Sequence, residues 1–245
     1  MHRLCLFALV GCGSASARLE LSNDTVGSSA RHAGILADGT SLRLKLIATY
    51  LSEDVDPVSQ DNTGKSSMIW VNPECNGDIS NCNVAGVPGD GPRVTNYFDL
   101  SRPSTEVNAE LDSQDAQIEP GTYRYARIEM CKFREGDLPS IPMLMWKGPG
   151  MAEERPFVSG DCGRTSLAFD PPLEIAVGDT ITVRLGYDLA NSIVTGAPTN
   201  GGGCPGIAGV DDENGHSHCF RECEDTEQGR TCMEYPDFAP TALRL

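Results

Sequence analysis

Two stretches of the 245-residue chain carry side chains whose types and spacing suit a defined chemistry. The first is Leu9-Val10-Gly11-Cys12, which has the form of a bacterial lipobox: two aliphatic residues, a glycine and a cysteine whose thiol is acylated while the preceding peptide is removed. His2-Arg3 supplies a short positive start, and Leu4-Cys5-Leu6-Phe7-Ala8-Leu9-Val10 an apolar run at the lower end of the ~7–15 residues of an export signal. A rival exit is Ala15-Ser16-Ala17, a small-x-small site before Arg18. The four-position match makes residues 1–11 the expected signal peptide and Cys12 the expected lipidation site. Residues 12–40 then read as the lipidated cysteine and a flexible tether, rich in Ser, Gly and Ala over residues 13–30. No buried first strand is expected there, because polar residues 13–16 and 22–29 show no evident period. A diacylglycerol plus an amide-linked acyl chain exceeds the two signals needed for stable anchoring, at ~0.8 kcal/mol per buried CH₂. The cut after Ala17 instead gives a soluble secreted or periplasmic protein.

The second stretch is Asp211-Asp212-Glu213-Asn214-Gly215-His216-Ser217-His218-Cys219. His216 and His218, with Cys219, Cys223 and Cys232 nearby, offer imidazole and thiolate donors that suit zinc or copper. In an oxidising compartment those cysteines are expected as disulfides instead, and the spacing matches no finger or ribbon. Carboxylates 211–213 are suited to Ca²⁺ but lack the regular positions and closing glutamate of an EF-hand. No cofactor is therefore expected, with Ca, Zn and Cu the metals these donors would take. Asn62-Thr63-Gly64-Lys65-Ser66 lacks the first glycine of a phosphate loop, the position being Ser59. Neither a nucleophile elbow nor a His-Glu-x-x-His helix is present. Paired carboxylates for hydrolysis remain open, since the 35 acids offer many pairs.

Of ten cysteines, Cys5 leaves with the signal and Cys12 carries lipid. The remaining eight are Cys75, Cys82, Cys131, Cys162, Cys204, Cys219, Cys223 and Cys232, an even set that suggests disulfides in an exported protein. Cys75 and Cys82 bracket a turn, Cys131 and Cys162 suit a cross-strand staple, and the last four knit the C-terminal segment. The formal net charge of −16 without a basic cluster excludes nucleic acid as a partner. After the N-terminus no apolar run reaches the ~18 residues of a membrane helix.

The elements that would position these groups are short strands. Gly 26, Pro 16 and 6% aromatics favour turns over helices, and no useful amphipathic helix is found. Residues 41–50 alternate around Leu-Arg-Leu-Lys-Leu, and residues 67–71, 96–100 and, more weakly, 107–111 follow as strands. In residues 122–133, Ala126, Ile128 and Met130 share one face, and Tyr123, Tyr125, Arg127 and Glu129 the other. With Trp70, Tyr123 and Tyr125 would line a sugar- or peptide-binding face if exposed; core or edge packing is the plainer reading. Arg127 is expected in cross-strand charge pairs. Pro171-Pro172 should end regular pairing. Residues 173–177, Gly178-Asp179 and residues 180–187 read as a hairpin.

The expected fold is mainly β: a single antiparallel β-sandwich of transthyretin/immunoglobulin-like type over residues 41–197, a disulfide-rich loop segment over 198–237, and a terminal strand over 238–245. Pro120-Gly121-Thr122-Tyr123-Arg124-Tyr125-Ala126-Arg127-Ile128 resembles a strand motif of uncharacterised bacterial lipoproteins with a transthyretin-like (prealbumin-like) domain. Tyr97-Phe98-Asp99-Leu100 is similar to their preceding strand, and residues 178–194, with Tyr187-Asp188-Leu189-Ala190-Asn191-Ser192-Ile193, to their closing strand. The resemblance spans roughly residues 41–195. It implies a sandwich at the cell surface and brings no catalytic residues. The function expected is a non-enzymatic cell-envelope lipoprotein that acts as a binding or structural module. Its partners would be the membrane, through the lipid, and a protein or carbohydrate. Gly13 after the cysteine is compatible with the outer membrane. The competing classes are an exported hydrolase using carboxylates or a metal, and a metal-binding envelope protein using His216 and His218.

Overall fold

The computed structural model describes residues 13–23, 40–56, 62–77, 96–130, 144–157, 163–187, 193–197, 221–226, 229–234 and 238–245. In chain order the strands are β1 Ala15–Ser22, β2 Ser41–Leu44, β3 Ala48–Ser52, β4 Ser66–Val71, β5 Phe98–Asp99, β6 Ala116–Ile118, β7 Gly121–Met130 and β8 Leu144–Lys147. They continue as β9 Arg155–Phe157, β10 Gly163–Ile175, β11 Thr180–Tyr187, β12 Ile193–Ala197, β13 Arg221–Thr226, β14 Gly229–Glu234 and β15 Phe238–Arg244. One α-helix, α1 Ser104–Leu111, and a 3-10 turn at Pro73–Cys75 interrupt them among the described residues. The described residues are mainly β and build four sheets. Sheet I runs β15-β11-β1-β6, sheet II β10-β7-β3-β4, sheet III β5-β2-β8-β9 and sheet IV β12-β14-β13. Sheets I, II and III contribute to one continuous apolar core.

The first strand replaces the tether reading over residues 15–22; Cys12 and residues 24–39 of that reading lie outside the described residues. Ala15, Ala17, Leu19 and Leu21 are buried, while Ser16, Arg18 and Glu20 alternate outward. That is the period-2 pattern of a half-buried strand. β1 lies inside sheet I, parallel to β11 with Ala17 opposite Ile181 and Leu21 opposite Leu185, and antiparallel to β6 at Ala15–Ala17. Beyond β6, the free edge of β1 is closed by side chains of α1 and its flanks. Asn108 Oδ1 accepts from Leu21 N–H and its Nδ2 donates to Leu21 C=O, both at 2.8 Å. Ser113 Oγ accepts from Leu19 N–H, and Ser104 Oγ from Asn23 N–H. One asparagine thus reproduces both bonds that a neighbouring strand residue would make.

Four further expectations give way. Residues 41–50 are not one strand: β2 ends at Leu44 and the chain resumes as β3 at Ala48, in sheets III and II respectively. Residues 107–111 form helix rather than strand: Val107 and Leu111, four apart, both point into the core, the spacing of one helix face. Residues 173–187 make no hairpin, because β10 pairs with β7 in sheet II whereas β11 pairs with β1 and β15 in sheet I. The Gly178 turn is an arch between sheets; Gly178 has φ +84°, which favours glycine. The segment 198–237 is not all loop, since β13 and β14 pair within it and β14 also joins β12. Pro171-Pro172 interrupts pairing as expected, the β10–β7 register shifting between Ala168 and Leu173, but the pairing resumes at Leu173. β15, over the stretch expected to rejoin a sheet, pairs along β11 from Phe238 to Arg244.

Replacing Asn108 with alanine strands the N–H and C=O of Leu21 at the sheet edge. We expect a loss of about 1–3 kcal/mol, read as a lower urea midpoint with unchanged slope. Asn108→Asp, which keeps the acceptor and loses the donor, should fall between alanine and the parent.

Candidate functional site

The alternation of β2 sends Leu42 and Leu44 into the core and turns Ser41 and Arg43 outward. Phe98 of β5 pairs with Leu44 and meets Trp70 edge to face, which fixes its neighbour Tyr97 beside β2. Arg43 Cζ and Lys45 Nζ each lie 5.1 Å from the centroid of the Tyr97 ring, within the ~6 Å range of cation–π attraction. Just before β9, Glu154 reaches back across the sheet. Its Oε1 accepts from Arg43 Nε at 3.0 Å and from Ser41 Oγ at 2.7 Å, and its Oε2 pairs with Arg43 Nη2. The bidentate fork fixes the guanidinium plane.

Charge states follow from this packing. Burial pushes the Tyr97 phenol up to about 12; the Arg43 charge opposes that rise and Glu154 adds to it. Burial also acts to raise Glu154, but hydrogen bonds from Arg43 and Ser41, with the charges of Arg43 and Lys147, prevail and hold its carboxyl below the usual range. The group is therefore a neutral aromatic ring between two cations, with one locked carboxylate. Lys45 is buried and the Arg43 fork is occupied by Glu154, so the group presents a half-buried, internally paired polar surface.

A second polar set lies on sheet II. Tyr50, Arg127 and Ser166 are register partners across β3, β7 and β10. Arg127 and Glu129 are buried and ion-paired along one strand, and Arg127 Cζ lies 5.1 Å from the Tyr50 ring. The expected cross-strand charge pairing is thus an intrastrand pair. Burial raises the Glu129 carboxyl, while the charge and hydrogen bond of Arg127 oppose it. Arg127 Nε and Ser166 Oγ are buried without hydrogen-bond partners.

Of the residues singled out from sequence, Trp70 and Tyr123 are core rather than binding surface. Trp70 Nε1 donates to Leu111 C=O, and the Tyr123 hydroxyl bonds Glu119 C=O at 2.7 Å and Ser67 Oγ at 2.9 Å. Tyr123 shares the core with Ala126 and Ile128, so strict alternation fails between residues 123 and 126. Tyr125 is half-buried. Cys75 is buried in a short 3-10 turn and disulfide-bonded. Cys223 and Cys232 face one another in the β13–β14 register. Cys12, Cys82, Cys131, Cys162, Cys204, Cys219, His216, His218 and the acids 211–213 lie outside the described residues. Among the described residues no three His, Cys, Asp or Glu side chains converge as a metal site. Sequence reasoning missed Tyr97 and Glu154: the Leu-Arg-Leu-Lys-Leu period gave the faces of β2, but not what crosses to meet it.

No family model, no curated protein and no solved structure matches the chain.

Two titrations check the charge states. Because the folded pKa of Tyr97 is raised, its contribution is complete below the ordinary ~10 and is lost as pH rises through about 12. Ultraviolet titration should show a tyrosine ionising near pH 12, and Tyr97→Phe should remove that step. Glu154 has the opposite sign, so its contribution is present above ~4.3 and lost as pH falls. Glu154→Gln should flatten the decline of thermal stability in acid.

Proposed function

We propose that this chain is a non-enzymatic, lipid-anchored envelope protein whose β-rich domain acts as a binding or structural module. The observation that carries the reading is the start of β1 at Ala15. A cut after Ala17 would remove Ala15, Ser16 and Ala17, two of them core residues, and with them all the pairing of β1 to β6. It would also break the Ser16 N–H bond to Asp179 C=O and the Ser16–Thr180 hydroxyl contact. A cut before Cys12 leaves every one of these intact. The fold thus supports the lipobox over its rival.

Within this reading the domain is a sandwich akin to the transthyretin-like lipoproteins, closed by disulfides. The Pro-Gly-Thr-Tyr motif supports it physically. Gly121 has φ +153°, and a Cβ there would meet Lys65 Nζ at 2.9 Å. Two residues on, the Tyr123 hydroxyl returns to Glu119 C=O, in the manner of the tyrosine corner of Greek-key sandwiches. Cys223 opposite Cys232 supports a cross-strand disulfide in sheet IV. The charged, half-exposed Arg43–Tyr97–Glu154 surface is the candidate docking feature for a protein or carbohydrate partner.

Fractionation of cells with mass spectrometry of the mature N-terminus tests the proposal. The wild type should sediment with membranes carrying a modified Cys12, and Cys12→Ser should be released. A soluble wild type, or a mature chain beginning at Arg18, overturns it.

A further inference from the structure

The exposed large apolar residues among those described are three: Val177, Leu243 and Leu245, at 65%, 44% and 74% exposure. All belong to one end of sheet I. Leu245 N–H donates to Thr180 C=O, at the start of β11. Leu243 stands opposite Thr182, two residues or ~7 Å further along at ~3.3 Å per residue. Val177 sits in the arch just before β11, and Gly178 N–H donates to Ser14 C=O. The entering chain is packed on the same spot, since a Cβ on Gly13 would fall 2.0 Å from Val177 Cγ1.

Single exposed apolar residues are ordinary; their gathering beside the entry point is what requires an explanation. Gly13 follows Cys12 directly, and one residue of chain reaches at most ~3.6 Å. With β1 beginning at Ala15, no tether remains to hold the domain away from a lipid on Cys12. The chain is also strongly acidic, at −16, so most of its surface is repelled by anionic headgroups. This end is better suited: Arg244 bonds Asp179 and Glu174 C=O, leaving the acid of the arch neutralised.

We infer that the Val177–Leu243–Leu245 end of sheet I seats on the bilayer surface, with Val177 and Leu245 in the headgroup–acyl boundary. The inference rests on lipidation at Cys12. It fixes the orientation of the domain: β1 and β11 run away from the membrane, and the opposite end of sheet I, near Asn23 and Ser104, projects outward. Burial of a few apolar side chains to a depth of ~5–10 Å is the usual mode of interfacial seating.

Hydrogen exchange of the lipidated protein on phosphatidylethanolamine–phosphatidylglycerol vesicles, against soluble Cys12→Ser, tests it. Amides of residues 176–179 and 243–245 should exchange about tenfold more slowly on vesicles, whereas those of residues 100–104 should not change. Val177→Asp with Leu245→Asp should stay in the membrane fraction and lose that protection. Equal exchange at both ends in membrane-bound protein overturns the seating and leaves the anchoring intact. A wild type that is soluble and unmodified at Cys12 overturns both.

Discussion

The parallel pairing of β1 with β11 is the constraint on which sheet I depends. Seven consecutive register pairs, Ser16 with Thr180 through Ser22 with Gly186, join the start of the described chain to its C-terminal third. This places Ala15, Ala17, Leu19 and Leu21 against the core and sets the line along which β15 and β6 attach. Hydroxyl and guanidinium contacts run along the outer face of the same pair, from Ser16–Thr180 through Arg18–Thr182 to Glu20–Arg184. The pairing also dictates the role of α1, because a strand inside a sheet needs partners on both sides and β6 is too short to supply them all. Asn108, Ser104 and Ser113 complete what β6 leaves open.

The two arginine–carboxylate pairs answer to different physics. Arg43–Glu154 is half-exposed, bidentate and supported by Ser41, so the carboxylate stays ionised and solvent carries much of the remaining field. Arg127–Glu129 is buried, and desolvation works against the ionised carboxylate. The buried pair lies within β7, in the middle of sheet II, where loss of either member leaves a buried charge without its counterpart.

Legibility in the sequence followed the strength of local signals. The Leu-Arg-Leu-Lys-Leu period, the Gly121–Met130 strand and the Thr180–Tyr187 alternation were readable because each alternates apolar with polar residues locally, although β7 and β11 bury residues of both faces. β1 has an equally clean period, Ala-Ser-Ala-Arg-Leu-Glu-Leu, but small alanines and a neighbouring export signal made it look like a cleavage site and linker. In the α1 segment Val107, Ala109 and Leu111 alternate with polar residues as in a strand, while Val107 and Leu111 alone also fit one helix face, so the local pattern does not separate the two. Whether residues 173–187 close on each other or open into two sheets is decided by β7 and β1, more than forty residues away in sequence, and no local pattern reports that. The Tyr97–Glu154 encounter was hidden for the same reason: it joins strands β5, β2 and β9 through space.

The position of β1 in the chain also sets the order in which the molecule can be completed. Its partner strand lies 164 residues downstream, so the earliest core strand among the described residues is among the last to find this neighbour during synthesis from the N-terminus. Contacts of such long range fold slowly, because a large loop must close before they return any energy. In the interval β1 is an unpaired, half-apolar strand, the kind of segment that templates aggregation. Sheet I can therefore be completed only once residues 180–187 are available, so it assembles late rather than progressively along the chain.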